Sequence, residues 1–280
     1  MSVRNILTVD VEDWYHICDV ESVLPPASWD RCESRVQGNV EKILSLFSRF
    51  KVRATFFILG YIAEKIPELV RTIHREGHEI ACHGFSHVQV YKLTKEEFVE
   101  DLLQAKRLIE NSLQDKGVKV ISFRAAEWSI CNGKRDSYWA LDLLAENGFV
   151  YDSSVAPLRF IGIPGAPTTP YPVSTTHGTI REFPPLVTGS PFGNLPIGGG
   201  WGMRIFPYRM IQKEIRRLND SGHPALIFCH PTDFDPCPPR IPLPWIKRFV
   251  CRGKIRTTEE RFIRLLSEFE FGPLREAVLG

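Results

Sequence analysis

Short apolar runs and longer amphipathic stretches take turns along this chain. Residues 5–11, NILTVDV, are apolar and β-branched up to an acidic end, which predicts a strand. Residues 39–50 place apolar positions at helical spacing, and 52–59, VRATFFIL, read as a fully buried strand. A helix follows over 67–77, with Pro67 early in it and Gly77 just past its end. Residues 78–84 form the third strand, and 94–113 an amphipathic helix opened by a capping box of Thr94 and Glu97. A strand over 118–126, a helix over 136–148 and a short strand over 149–154 continue the alternation. At Val155 it breaks. From there to Pro207 the chain is rich in Pro and Gly, too long for an idle loop. Short strands such as 179–183, TIREF, and the wall of a groove are expected in it. A helix over 208–222, a buried strand over 224–230 and a helix over 257–272, with Thr257 and Glu260 as its capping box, complete the pattern.

Alternation of this kind means parallel strands joined by helical crossovers, in an open sheet or a closed barrel. No G-x-G-x-x-G follows the first strand, so nothing favours a dinucleotide fold. No repeat or linker divides the chain, which predicts one domain over 1–280. A net charge of +2 implies no strong pull toward nucleic acid or an anionic membrane. No apolar run is long enough to span a bilayer, and the N-terminus lacks a signal-peptide pattern, so a cytoplasmic protein is expected. The seven cysteines form no C-x-x-C pair and read as free thiols.

In either architecture, functional side chains gather at the C-terminal ends of strands. Polar residues stand there on nearly every strand: Asp10, Glu12 and Asp13, then His83 and His87, Arg124, Asp152 and His230. Any one alone reads best as a cap or a satisfied core polar group. Together on one face they make a site. Two histidines and a carboxylate form a recognised set for a divalent ion with open positions. Strand alternation turns Asp10 and Glu12 the same way, with Val9 and Val11 opposite. Asp13 joins them only if the chain bends, so Glu12 is the favoured carboxylate and Asp13 the next. The same alternation turns Cys82 and Cys229 into the core. Asp10 suits a general base, His230 a proton donor, and Arg124 a partner that keeps Asp10 ionised and oriented. These parts describe hydrolysis of an amide or ester through a tetrahedral oxyanion.

The stretches TVDVEDW, RATFFILG, GHEIACHGFSH, SFRAAEWSI, YDSSV and ALIFCHPTDFDP resemble, in order, the NodB-homology polysaccharide deacetylases, carbohydrate esterase family four. The first and last look most like the exopolysaccharide-locus branch, and the histidine motif is also similar to the peptidoglycan-deacetylase-like and allantoinase-like branch. The resemblance implies an α/β fold, an irregular (β/α)7-type barrel of parallel strands with a Pro/Gly-rich insertion before the last strands. It implies Asp10 as catalytic base, His83 and His87 as metal ligands with Glu12 or Asp13, His230 as catalytic acid, Arg124 orienting the base, and Asp152 supporting the catalytic histidine. The implied cofactor is a divalent metal, zinc ahead of cobalt, nickel or iron. The implied partner is an N-acetylated glycan or its precursor, with no nucleic acid and no membrane span; a homo-oligomer stays open. Two departures stand out. Val11 separates Asp10 from Glu12 where the family has adjacent aspartates, and Ala126 replaces a usual proline. The expected function is removal of N-acetyl groups from hexosamines. A small-amide hydrolase of allantoinase type and an inactive sugar-binding barrel remain alternatives.

Overall fold

The computed structural model describes residues 3–115, 117–132 and 135–278. Residues 1, 2, 116, 133, 134, 279 and 280 of the expected 1–280 domain lie outside them. The strands are β1 (Asn5–Val11), β2 (Thr55–Ile58), β3 (Glu79–Cys82), β4 (Ser122–Phe123), β5 (Tyr151–Asp152), β6 (Tyr171–Thr175), β7 (Gly178–Glu182), β8 (Val187–Thr188), β9 (Leu195–Pro196), β10 (Leu226–Cys229) and β11 (Phe271–Gly272). The helices are α1 (Val36–Phe50), α2 (Gly60–Lys65), α3 (Pro67–Arg75), α4 (Lys95–Leu113), α5 (Ala140–Glu146), α6 (Gly200–Ile205), α7 (Tyr208–Asp220), α8 (Trp245–Arg252) and α9 (Thr258–Glu268). Among the described residues one nine-stranded sheet runs β10-β1-β2-β3-β4-β5-β7-β6, with β11 added beside β1. Its neighbours are parallel except for the β6–β7 hairpin.

The sheet curls into a half-barrel surrounded by helices. Its two edge strands, β6 and β10, do not pair with each other. Leu186 N–H donates to Leu226 O at 3.1 Å and Phe228 N–H to Gly198 O at 3.0 Å, so the insertion closes the ring irregularly. Gly199 permits that approach, because a Cβ there would lie 2.2 Å from Phe228 O.

Period-two alternation sorts the side chains into two cores. Leu7, Val9, Val11, Phe56, Ile58, Ile80, Cys82, Phe123, Ile227 and Cys229 face outward into the helical layer, where Ile43, Phe47, Leu102, Ile109 and Ile215 cover them. Ile6, Phe57, Ala81, Leu226, Phe228 and Phe183 face inward and fill the barrel. Cys82 and Cys229 are thus core residues, as expected. Below that plug, buried Glu79 accepts from Thr55 Oγ1 and Ser122 Oγ, both at 2.7 Å. The strand ends above it are left for polar groups.

Three helices escape the sequence pattern. α2 and α6 are only 6 residues each. α8 buries none of its side chains, so no core face announces it. The capping box at Thr94 forms, with Thr94 Oγ1 accepting from Glu97 N–H at 3.2 Å and Glu97 Oε2 from Thr94 N–H at 2.8 Å. The one expected at Thr257 does not: its hydroxyl donates to Lys254 O at 2.8 Å instead. A short 3-10 turn over Ile255–Thr257 feeds the helix and turns that side chain back.

Candidate active site

β1, β3, β4 and β10 end on one cavity of about 260 Å³. Asp10, Glu12, His83, His87, Arg124 and His230 line it together with Asp13. Asp10, in β1, and Glu12, just past its end, both turn to the cavity, while Val9 and Val11 go to the outer core.

Glu12, His83 and His87 bring one oxygen and two nitrogens within 4.8 Å of one another. His87 has φ +53°, a left-handed conformation costing a β-bearing residue roughly 1 kcal/mol. That kink folds the ring back so that Nε2 lies 2.8 Å from Glu12 Oε2. Both rings have their outer nitrogens occupied. His83 Nδ1 meets Arg124 O at 2.7 Å, which makes it the donor and leaves Nε2 a free lone pair. His87 Nδ1 meets Cys18 Sγ at 3.5 Å, while the thiol donates to His87 O at 3.3 Å. The same tautomer results. Glu12 Oε2 is buried, and apart from that 2.8 Å ion-pair contact with His87 it has no hydrogen-bond partner. A buried carboxylate oxygen whose one partner is an imidazole nitrogen, with a second imidazole nitrogen beside it, fits a divalent cation, and Glu12, His83 and His87 are the residues to hold it.

Electrostatics agree in part. Burial pushes the Glu12 carboxyl up, but the charges of His87, His230 and His83 outweigh it and hold it at about 2. Burial lowers His83 to about 4. Carboxylate and neutral imidazole are the forms a cation requires. His87 goes the other way: burial lowers it, yet Glu12 and Cys18 raise it well above its ordinary value. A cation there displaces a proton from His87.

Asp10 is held by Arg124, whose Nη1 donates to Asp10 Oδ1 at 2.6 Å and to Thr8 Oγ1 at 2.8 Å. The other arm of the guanidinium donates to Ser153 Oγ at 2.9 Å, and Nε to Ser153 O at 3.3 Å. The ion lies 4.2 Å above the centre of the Phe57 ring. Both charges are buried, and the fork satisfies them.

His230 places Nε2 3.5 Å from Glu12 Oε1 and 3.9 Å from Asp10 Oδ2. Its Nδ1 is 3.1 Å from Asp233 Oδ2, which also accepts from His230 N–H at 2.9 Å. Burial lowers this imidazole, but the hydrogen bond and charge of Asp233, then Glu12 and Asp10, raise it to about 9. Buried Arg204 in turn ion-pairs with Asp233 through Nη1.

Two expected residues stand elsewhere. Asp13 does not meet the histidines. Beyond Val11 the chain leaves the strand, and the Asp13 carboxylate caps α1, accepting from Ser34 Oγ, Arg35 N–H and Val36 N–H at 2.7, 2.8 and 3.1 Å. Asp152 does not meet His230. On β5 it is Tyr151 and Ser153 that turn inward, to the barrel core and Arg124, so Asp152 turns outward. There it faces Glu182 across the β5–β7 ladder. Burial raises both carboxyls, and their mutual repulsion means the pair keeps a proton. Asp233 takes the place at His230. Its signal was its position one turn after His230; Arg204, inside GWGMRIF, had none.

The insertion walls the cavity as expected, through Leu158, Ile161, Pro196 and Trp201. Trp14 and Trp128 also line it, whereas Tyr15 is buried. Glu127 and Trp128 both have left-handed backbones, φ +52° and +49°, just after Ala126. This sets Trp128 against Phe228, ring centres 4.5 Å apart.

Residues 27–131 match the polysaccharide deacetylase family, and residues 153–279 match a domain of unknown function, DUF3473. Both segments supply strands to the same sheet. A peptidoglycan-N-acetylglucosamine deacetylase of Bacillus cereus is 37% identical over 68 residues, 24% of this chain and 25% of that protein. A chitooligosaccharide deacetylase of Sinorhizobium fredii is 28% identical over 88 residues, 31% of this chain and 41% of that one. The matched stretches thus span well under half of these relatives. A polysaccharide-deacetylase structure from Mycobacterium smegmatis superposes with TM-score 0.64 over 98% of this chain and 90% of its own, at 22% identity, and shares the fold.

Proposed function

We propose, on the premise that this chain carries a polysaccharide deacetylase domain, that it removes the N-acetyl group from hexosamine units of a bacterial polysaccharide or its precursor. One observation carries the reading. The Glu12–His83–His87 clasp, the Asp10–Arg124 pair and the His230–Asp233 pair share one cavity wall. A divalent cation, zinc first, supplies Lewis acidity when bound to that clasp.

The protein's own groups do the rest. Asp10, fixed by Arg124, takes a proton from the attacking water. The tetrahedral carbon then expels the amine. His230, protonated and held by Asp233, gives the departing nitrogen its proton from Nε2. The C–N bond breaks, and acetate and a free amine leave. Trp14, Trp128 and Trp201 offer apolar faces on which a sugar ring can lie.

The test is acetate release from N-acetylglucosamine oligomers by protein stripped with a chelator and reloaded with zinc. Activity should return with the metal. It should vanish in Asp10→Asn and in His230→Ala, both with cation content kept. Turnover of small ureides without acetate release would replace the sugar amide by a non-sugar one. Glycan binding with no turnover under zinc, cobalt, nickel or iron would leave only a binding barrel.

A further inference from the structure

The mouth of the cavity has an unusual composition. Ten large hydrophobic side chains are exposed among the described residues, and six of them belong to three short segments that carry or adjoin residues lining the cavity. Phe160, Ile161 and Phe192 stand on one lip, Trp245, Ile246 and Phe249 on the other, between 44% and 86% exposed. Ile161 and Leu158 of the first lip line the cavity itself, as do Ile241 and Val250 of the second. Asn194 Nδ2 donates to Pro157 O at 2.9 Å and so ties the Phe192 turn to the Phe160 loop. On the other side Arg204 Nε donates to Gly253 O at 2.9 Å, anchoring the end of α8 beside Asp233.

Charge follows the same segment. Between residues 236 and 258 there are six basic side chains, Arg240, Lys247, Arg248, Arg252, Lys254 and Arg256, and no acidic one. The net charge of the whole chain is only +2, so the rest of the chain carries a net −4 and the basic excess is concentrated in this segment. Lys247 is 3.7 Å from Asp19. Among the described residues the other five form no ion pair within 4 Å, and Arg240, Arg248, Lys254 and Arg256 are exposed. Exposed aromatics clustered with unpaired cations on and beside a short helix suit an interface with headgroup phosphates above and acyl chains below.

We propose that α8 and the Phe160 and Phe192 turns dock this protein on an anionic lipid bilayer, with the cavity mouth facing the membrane. The idea goes beyond the deacetylase reading and does not depend on it. No helix of the described residues is long and apolar enough to cross a membrane, so the contact is interfacial. Charge complementarity selects the occupant. A second copy of this chain would bring the same cations against themselves.

Co-sedimentation with vesicles tests it. The full chain should bind phosphatidylcholine vesicles containing about one-third phosphatidylglycerol, bind pure phosphatidylcholine far less, and release as salt rises. The double variant Trp245→Ser/Phe249→Ser should lose roughly tenfold or more in binding, as should Arg248→Glu/Arg256→Glu. Leu103→Ser/Val150→Ser, exposed apolar residues elsewhere, should change nothing. Circular dichroism shows that each variant is folded. His83→Ala should lose the cation and still bind vesicles, which separates this proposal from the reading of the active site. No binding to anionic vesicles overturns it. So do equal binding by the Trp245/Phe249 variant and a dimer of the native chain that this variant dissolves.

Discussion

Replacing Asp233 by Asn should move the alkaline limb of the pH–rate profile. In the native protein His230 is raised to about 9, and Asp233 is the largest of the groups that raise it. A general acid works only while protonated, so activity persists below that value and is lost as pH rises through it. At pH 8 a group titrating near 9 is about nine-tenths protonated. Without the Asp233 charge, burial is opposed only by Glu12 and Asp10, and His230 falls back toward its ordinary value near 6.5. The protonated fraction at pH 8 is then about 3%, so kcat should drop roughly thirtyfold there. At pH 6 most of the imidazole is protonated in both proteins, and the loss through this cause is less than about twofold. A cation beside Glu12 lowers both values together, so the separation of the two profiles is the quantity to read. The assay is acetate release between pH 5.5 and 10, in steps of about half a unit, with melting followed alongside. Two profiles that superimpose after scaling would falsify the role of Asp233, because a merely structural defect lowers the curve without sliding it.

Glu12→Gln should abolish stoichiometric cation binding, read by elemental analysis, whereas Asp13→Ala should keep it and cost about 1–2 kcal/mol of stability as the α1 cap is lost. The opposite result would make Asp13 the ligand. Arg124→Lys keeps the charge but cannot reproduce the four donations to Asp10, Thr8 and Ser153. A buried acceptor left unsatisfied costs about 1–3 kcal/mol, so with two or so unmet the melting midpoint should fall by about 5–10 °C, and a change under about 2 °C refutes that account.

Most of the site's chemistry was legible because strand alternation is local. Once NILTVDV is a strand, Asp10 and Glu12 must share a face, and Cys82 and Cys229 must leave the faces of His83 and His230. The histidine pair, the arginine and the distal histidine all stand at strand ends, where a parallel half-barrel collects them. Asp152 shows the limit of that logic. Its position at a strand end was readable, but which face β5 turns inward depends on Ser153 reaching Arg124 from a neighbouring strand. Asp13 shows another. Its carboxylate is claimed by Arg35 and Val36 N–H groups 22 and 23 residues on, and periodicity carries no trace of that.

By itself, then, the order of apolar and polar residues determined the parallel architecture, the outward and inward faces of each strand, and the identity of Asp10, Glu12, His83, His87, Arg124 and His230 as a convergent set. Tertiary structure alone decided that Arg204 backs the His230–Asp233 pair, that Asp152 turns away from His230, and that the Pro/Gly-rich insertion closes the barrel beside β10. It alone also brought Phe160, Phe192 and the cations of α8 to one rim. The reason is range. Alternation and capping act between residues a few positions apart, whereas these contacts join segments whose separation in the chain leaves no pattern, and only packing brings them together.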